Sequence, residues 1–249
     1  MYKNKRVSVI LPTYNEKDSI KKVIEDFFSI KDITNDRIVD EIIVINNNAK
    51  EGTSEEVAKT KAKEIMEPVQ GYGAAIQRGF MEASGDLLVV CEPDDTFIAD
   101  DIIKLLSYSD DVDIVYGSRT VNHFIWTGAN MGWFLRWGNW AVAKMIEILF
   151  NTNYLSDVGC TFRLISRNAL IKIQDKFLVR SNFFGPEMMV RGFLMKMKCV
   201  QIPVNYKSRV GESSVIGNFF KAFKLGIQMI ILVLSMRFRL EKKIIKLMQ

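Results

Sequence analysis

Four short apolar runs constrain this chain more than anything else in it: VSVIL at 7–11, EIIVI at 41–45, DLLVV at 86–90 and DIVYGS at 113–118. Each is rich in β-branched residues, too short for a buried helix, and lacks the polar alternation of a half-solvated strand. Such runs are strands covered on both faces. Helical patterns separate them. Ile20, Val23, Ile24, Phe27 and Phe28 form a helical stripe behind Asp18 or Ser19 as N-cap. A polar helix is expected from Thr53, another in AAIQRGFMEA after Gly71-Tyr72-Gly73, and a third from Asp100 to Ser107. Strand–helix alternation predicts an α/β fold, a mostly parallel sheet flanked by helices on both faces. Further helices are expected near 168–173 and 185–196, and a late strand in KCVQIPVNY at 198–206.

Composition narrows the function classes. In 249 residues, 48% hydrophobic and 25% charged, wholesale disorder is excluded, and no fixed-period repeat supports a solenoid. Cys91, Cys160 and Cys199 are widely spaced and odd in number, which fits a reduced cytosolic protein and not a disulfide framework or a zinc pair. His123 is the single histidine, so a His-rich metal site is excluded and a His-dependent triad nearly so. No secretory signal is expected from the polar start. Residues 218–249 hold seven basic residues and one acid, net +6, which leaves the rest of a chain of net +5 slightly negative. Charge confined to a tail argues against a nucleic-acid partner. That tail contains LGIQMIILVLSM at 225–236, 12 residues long and short of the ~20 that span a bilayer. An in-plane membrane helix flanked by cations is expected there, with a core helix and a true span as alternatives. Residues 124–150 hold all four tryptophans, with Arg136 and Lys144 between them. They read as an amphipathic, membrane-facing surface on the acceptor side, or else as a helix–helix core.

In an open parallel sheet ligands bind beyond the carboxyl ends of the strands. The residues there are Pro12, Tyr14, Asn15 and Glu16; Asn46, Asn47 and Asn48; Glu92 and Asp94; and Arg119. Two carboxylates at alternate positions can share a hard divalent ion, which in turn neutralises a diphosphate; a solvated acidic turn is the competing reading. No G-x-x-x-x-G-K-[ST] is present, against a P-loop NTPase. GYGAAI lacks the third glycine of a dinucleotide fingerprint and is better explained as a helix-capping turn. A nucleotidyltransferase would want a basic, Gly-rich loop after the first strand, and PTYNE is neither.

Seven segments in order carry a resemblance: VSVILPTYNE, EIIVINNNAKEGT, GYGAAIQRGF, GDLLVVCEPDDTF, DIVYGSR, DVGCTFRLISRNAL and YKSRVGESS. Together they resemble family 2 glycosyltransferases, in particular the branch of dolichyl-phosphate mannose synthase and bacterial polyprenyl-phosphate glycosyltransferases. The match runs from about Lys5 to Ser214. The resemblance implies a GT-A fold, a UDP- or GDP-linked sugar donor, a divalent metal (Mg or Mn), and a lipid-phosphate or glycan acceptor at the cytoplasmic face of a membrane. It also implies residue roles. Pro12, Tyr14 and Glu16 lie where the base and ribose are held, and Asn47 at the position facing the base. Glu92 and Asp94 match the metal pair, with Pro93 between them. Arg119 and Arg209 match phosphate-meeting arginines, with Ser213 in the same phosphate loop. The implied organisation is a glycosyltransferase domain over 1–214, with its nucleotide-sugar half about 1–120 and acceptor half about 121–214. A basic-apolar membrane-associating tail follows over 215–249, placing the chain at the membrane as a peripheral or tail-anchored protein.

The sequence also departs from the pattern. Most relatives have Asp-Asp-Gly where this chain has Asn46-Asn47-Asn48, and asparagine donates as well as accepts. Glu92 is one methylene longer than the usual aspartate. The polar residue often found two positions after the pair is Thr96 here, and Ser214 stands where a lysine is common in the family. The expected reaction is inverting transfer. A lipid-phosphate acceptor needs no general base. A hydroxyl acceptor, on a glycan or a lipid-linked oligosaccharide, needs one, and Asp157 and then Glu187 are the candidates. The catalytic set is therefore Asp94, Arg119 and Asp157, with His123 read as a loop residue. An inactive nucleotide-sugar-binding relic is the remaining alternative.

Overall fold

The computed structural model describes residues 1–129, 131–152, 154–211 and 219–248. The first half runs β1 (Val7–Thr13), α1 (Ile20–Ser29), β2 (Glu41–Asn46), α2 (Thr53–Ala58), β3 (Lys63–Met66), α3 (Tyr72–Glu82), β4 (Leu87–Val90), α4 (Ile102–Ser107) and β5 (Ile114–Ser118). The second half runs α5 (Trp133–Phe150), β6 (Arg163–Ser166), α6 (Arg167–Ile173), α7 (Phe184–Leu194), β7 (Cys199–Pro203), α8 (Phe219–Arg237) and α9 (Glu241–Met248). Among the described residues the strands form one sheet in the order β3-β2-β1-β4-β6-β5-β7. β6 is antiparallel to β4 and β5, and the remaining pairs are parallel.

All four apolar runs are strands, and β1 shows why they carry no polar alternation. Its Val9 and Leu11 enter a cluster with Ile24 and Phe27 of α1. Its Ile10 points the other way, into a cluster with Phe80 of α3. Both faces of the strand are thus covered by helices.

Two strands have no counterpart in the sequence reading. β3 is a sheet-edge strand, KEIM, with a single β-branched residue. β6 is four residues, RLIS, and passes straight into α6 with Ser166 as N-cap, its hydroxyl accepting from the Ala169 N–H at 3.3 Å. Neither has the length or the bounding turn residues that mark a strand. Ser19 does stand at the N-cap of α1, but its hydroxyl donates to the Pro93 carbonyl at 2.7 Å and leaves the helix N–H groups alone. The expected cap is instead a strut between α1 and the loop after β4.

The C-terminal segment corrects the expectation of a separate apolar tail. α8 buries Leu232, Val233 and Met236, and α9 buries Ile245, in the cluster that holds Val142, Ala143 and Ile146 of α5. α8 is thus a helix of the folded body on one side. Among the described residues no helix is long and apolar enough to cross a membrane, so a tail anchor is not supported. The expected domain boundary at 214/215 lies outside the described residues. The tryptophans lie outside the core: Trp126, Trp133, Trp137 and Trp140 are all exposed.

Candidate active site

Parallel pairing brings the carboxyl ends of β1, β2 and β4 to one edge, with Thr13 of β1 opposite Asn46 of β2. Two cavities open there. The first, about 450 Å³, is lined by Pro12, Tyr14, Glu16, Asn47, Glu92 and Pro93, with Gln70, Gly71 and Arg209. The second, about 300 Å³, is lined by Glu92, Asp94, Arg119 and Arg209, with apolar walls from Leu135 of α5, Met188 of α7 and Leu225 and Met229 of α8. Tyr72, Glu92, Asn182 and Arg209 belong to both.

The floor of the first cavity is a hydrogen-bonded turn. Glu16 Oε2 accepts from the N–H groups of Tyr14 and Asn15, both at 2.7 Å, and from the Thr13 hydroxyl at 3.0 Å. Its Oε1 accepts from Arg209 at 2.9 Å. Asn47 lines this cavity, but its amide is used within the protein. Nδ2 donates to the carbonyls of Glu67 and Val69, both at 2.8 Å, and Oδ1 accepts from the Gly71 N–H at 2.7 Å and the Gln70 amide at 3.2 Å. Asn47 therefore ties down the 67–71 loop that forms the cavity wall. That loop turns into α3 at Gly71, where φ is +146° and a Cβ would lie 2.2 Å from the Arg180 carbonyl oxygen. Only glycine fits there.

Glu92 sits where the two cavities meet, and Asp94 lines the second. Asp94 Oδ1 accepts from the N–H and hydroxyl of Thr96 at 3.0 and 2.6 Å, while Oδ2 faces Arg209 Nη1 at 3.2 Å. Among the described residues no hydrogen bond reaches the Glu92 carboxylate. Burial, and then the neighbouring Asp94 charge, push its pKa up to about 8. Among the described residues no third carboxylate, histidine or cysteine joins the pair. A two-carboxylate set of this kind fits a hard divalent ion that takes its other oxygens from water and substrate phosphates. The loop carrying Arg209 is pinned to the same place, with the Val210 N–H on the Asp94 carbonyl at 3.0 Å and the Lys207 N–H on the Thr96 carbonyl at 2.9 Å.

Arg119 follows β5 and points into the second cavity. Its Nε and Nη2 donate to the two oxygens of Asp157 at 2.9 and 3.0 Å, and its backbone N–H donates to Oδ2 at 2.9 Å. Asp157 is fully buried and lines neither cavity. Burial alone would raise its pKa, but the Arg119 guanidinium and two backbone N–H groups bring it below the ordinary carboxyl value. Both oxygens are engaged, and the group is held ionised. Glu187 is equally enclosed: it accepts from the N–H groups of Leu178 and Val179 and from Arg191 at 2.7 and 2.9 Å. His123 is exposed and lines neither cavity. Ser213 lies outside the described residues.

Sequence reasoning missed four residues. Tyr72 and Asn182 line both cavities, and Arg163 lines the second. Gln201 of β7 supports the Arg119–Asp157 pair: its Oε1 accepts from the N–H groups of Ser156 and Asp157 at 2.6 and 3.1 Å, and its Nε2 donates to the Asp157 carbonyl at 2.6 Å. Tyr72 had a signal, an aromatic between two glycines at a helix start. The other three sit in strands and loops with no local mark.

The family model for "Glycosyl transferase family 2" matches residues 8–174. A dolichyl-phosphate beta-glucosyltransferase of Trichomonas vaginalis is 26% identical over 238 residues, covering 86% of this chain and 70% of the relative. A dolichyl-phosphate hexose transferase of Haloferax volcanii is 26% identical over 214 residues, covering 84% and 86%. The fold matches glucosyl-3-phosphoglycerate synthase from Mycobacterium tuberculosis, solved with Mn2+, UDP and phosphoglyceric acid, at a TM-score of 0.70 and 18% identity, covering 94% of this chain and 78% of that one. The match spans β1 to α6 and so takes in the whole strand-end constellation from Glu16 to Asp157: the chain belongs to glycosyl transferase family 2 and is a glycosyltransferase of the hexosyltransferase type.

Proposed function

We propose that this enzyme transfers a hexosyl group, with inversion, from a UDP- or GDP-linked sugar to the phosphate of a long-chain polyprenyl lipid at the cytoplasmic face of a membrane. The observation that carries this reading is the junction of two cavities at Glu92 and Arg209, one polar and walled by β-strand ends, the other walled by apolar side chains of α5, α7 and α8. A nucleotide suits the first and a lipid phosphate the second. The lipid-phosphate names of the two sequence relatives, and the UDP and Mn2+ held by the structural neighbour, support the same assignment.

In this reading Pro12, Tyr14, Glu16 and the loop tied to Asn47 hold the base and ribose. Glu92 and Asp94 would hold a divalent ion, Mg2+ or Mn2+, whose positive charge would offset that of a diphosphate. Arg209 stands between the cavities and offers its guanidinium to phosphate. Arg119, oriented by Asp157, positions the acceptor phosphate, with Ser213 assigned to the same group by resemblance. The acceptor oxygen bonds to the sugar C1 as the bond from C1 to the diphosphate breaks. An acceptor phosphate is already anionic, so no proton needs to be removed. The enclosed carboxylates of Asp157 and Glu187 support this route over a hydroxyl acceptor, and Asp157 becomes a positioning residue. Residues 1–120 form the donor half and 121–214 the acceptor half.

The test is product analysis by mass spectrometry after incubation with UDP- and GDP-hexoses, Mn2+ or Mg2+, and a short-chain polyprenyl phosphate. A glycosylated lipid phosphate is expected. Transfer only to a hydroxyl acceptor would overturn the acceptor assignment, and donor binding without any transfer would mark a relic.

A further inference from the structure

Transfer forces the donor sugar to the join of the two cavities. Its C1 is bonded to the diphosphate on one side and must meet the acceptor oxygen on the other, so the hexose lies where the first cavity opens into the second. Four side chains line both cavities: Tyr72, Glu92, Asn182 and Arg209. Two of these are charged and have partners or a role already. Glu92 belongs to the carboxylate pair, and Arg209 reaches Glu16 at 2.9 Å and Asp94 at 3.2 Å. Tyr72 and Asn182 are the neutral two.

Other polar side chains around the cavities are engaged within the protein. Asn47 holds the 67–71 loop by both ends of its amide. Asn139 of α5 donates to the Leu135 carbonyl at 3.0 Å and accepts from the Gly159 N–H at 3.0 Å. Arg163 donates to the carbonyls of Cys160, Val158 and Gly185. Among the described residues no hydrogen bond reaches the Tyr72 hydroxyl or the Asn182 amide.

What is committed is the backbone that carries these two side chains. The Gly73 N–H donates to the Ser181 carbonyl at 3.2 Å and the Ala74 N–H to the Arg180 carbonyl at 2.9 Å. The approach is close: a Cβ on Gly73 would lie 2.6 Å from the Val179 carbonyl oxygen and 2.7 Å from the Phe184 Cβ. Residues 72 and 182 flank this contact of backbone on backbone. Two side chains with unused hydrogen-bonding groups, mounted on a fixed frame, make a preorganised site.

We infer that Tyr72 and Asn182 hold the donor hexose by its hydroxyl groups and so set which sugar is transferred. The phenol offers one donor and an acceptor, and the amide two donors and an acceptor. Sugar hydroxyls donate and accept in the same way. A sugar that lacks the matching hydroxyl leaves one of these groups unpaired and is rejected. The assignment rests on the donor half of the proposed function and not on the lipid acceptor.

Calorimetry on the full chain with Mn2+ tests this, with UDP, GDP, UDP-glucose, UDP-galactose and GDP-mannose as probes. Tyr72→Phe and Asn182→Ala should each weaken binding of the nucleotide sugar by about tenfold. Nucleoside diphosphate binding and the melting temperature should stay at the parent's values. Donors lacking one sugar hydroxyl at a time then distinguish direct contact from a change of shape. One such donor should bind the parent about tenfold more weakly than its complete counterpart, yet bind Tyr72→Phe with no further loss, because the contact is already gone. The assignment is overturned if either variant binds nucleotide sugars like the parent, or loses nucleoside diphosphate to the same extent. It is also overturned if the losses from Tyr72→Phe and from every missing hydroxyl add in full. A parent that binds none of the nucleotide sugars removes both the assignment and the donor reading. A glycosylated lipid phosphate made with donor binding insensitive to the variants removes the assignment and keeps the proposed function. Variant-sensitive donor binding without any lipid-phosphate product removes the acceptor reading and keeps the assignment.

Discussion

At the residue scale the site works by saturation. Glu92 is the carboxylate that, among the described residues, no hydrogen bond reaches, and Asp94 lines the second cavity beside it with its oxygens on Thr96 and Arg209, while Asp157, Glu187 and Asn47 hold neighbours away from ligand. Asp94→Asn should therefore lower turnover by roughly 100-fold or more, the scale of losing a preorganised electrostatic contact, while the melting curve stays near the parent's. Calorimetry with Mn2+ and nucleoside diphosphate should show the metal dependence gone, and retained turnover at limiting metal would refute the pair. Asn47→Asp is a sharper test. It would aim a carboxylate oxygen at the Glu67 and Val69 carbonyls, so the loop should lose about 2 kcal/mol or more, and donor affinity with it. A stable variant with altered base preference would show that Asn47 reads the base directly. Asp157 makes a pH prediction. Its folded pKa lies below the unfolded value near 3.8, so the stability it contributes is full above about pH 4 and is lost as pH falls further. Asp157→Asn should flatten the acid limb of a stability–pH profile and lower turnover by freeing Arg119. An unchanged acid limb would place the acid sensitivity elsewhere.

At the element scale the site is assembled by loops pinned to other loops. The start of α3 is pressed on the segment before α7: the Gly73 N–H donates to the Ser181 carbonyl at 3.2 Å and the Ala74 N–H to the Arg180 carbonyl at 2.9 Å. This contact shapes the wall that Tyr72 and Asn182 share between the cavities. Gly71→Ala puts a methyl 2.2 Å from the Arg180 oxygen at a backbone angle that alanine avoids. It should weaken nucleotide binding by about tenfold or more and cost roughly 2 kcal/mol, read by isothermal calorimetry and denaturant melts. Parent-like affinity would mean the two segments move apart without consequence. The strut from Ser19 to Pro93 has the same logic, because it ties the loop of Glu92 and Asp94 to the start of α1.

At the scale of the whole molecule, the residues of α8 and α9 belong to the folded body. Removing 218–249 takes Leu232, Val233, Met236 and Ile245 from the cluster beneath α5 and α7. Each such side chain contributes roughly 1.5–3 kcal/mol, so the sum rivals the whole stability of a domain. A chain cut at Gly217 should then lack a cooperative thermal transition by circular dichroism. A sharp transition within a few degrees of the parent's would mean that α8 and α9 are dispensable to the fold.

The strands, the helices between them and the residues beyond the strand ends were legible because they are local facts. A strand covered on both faces is a continuous apolar run, and parallel pairing sends its next residues to one edge. The adjacency of Glu92 and Asp94 needed no third dimension either. What only the tertiary structure decided is which groups are already satisfied. Arg209 meets Glu16 across 193 residues, and Asp157 meets Arg119 across 38. No periodicity encodes such meetings, so a carboxylate enclosed by its own partners and one that no hydrogen bond reaches look alike in sequence. β6 was illegible for the same reason: four residues running against their neighbours are a strand only because β4 and β5 stand on either side. The apolar run at 225–236 makes the point at larger scale. An amphipathic stripe is the same pattern whether lipid or protein covers it; the fold put protein against Leu232, Val233 and Met236 of α8, and among the described residues Ile227, Ile230 and Leu234 stay exposed.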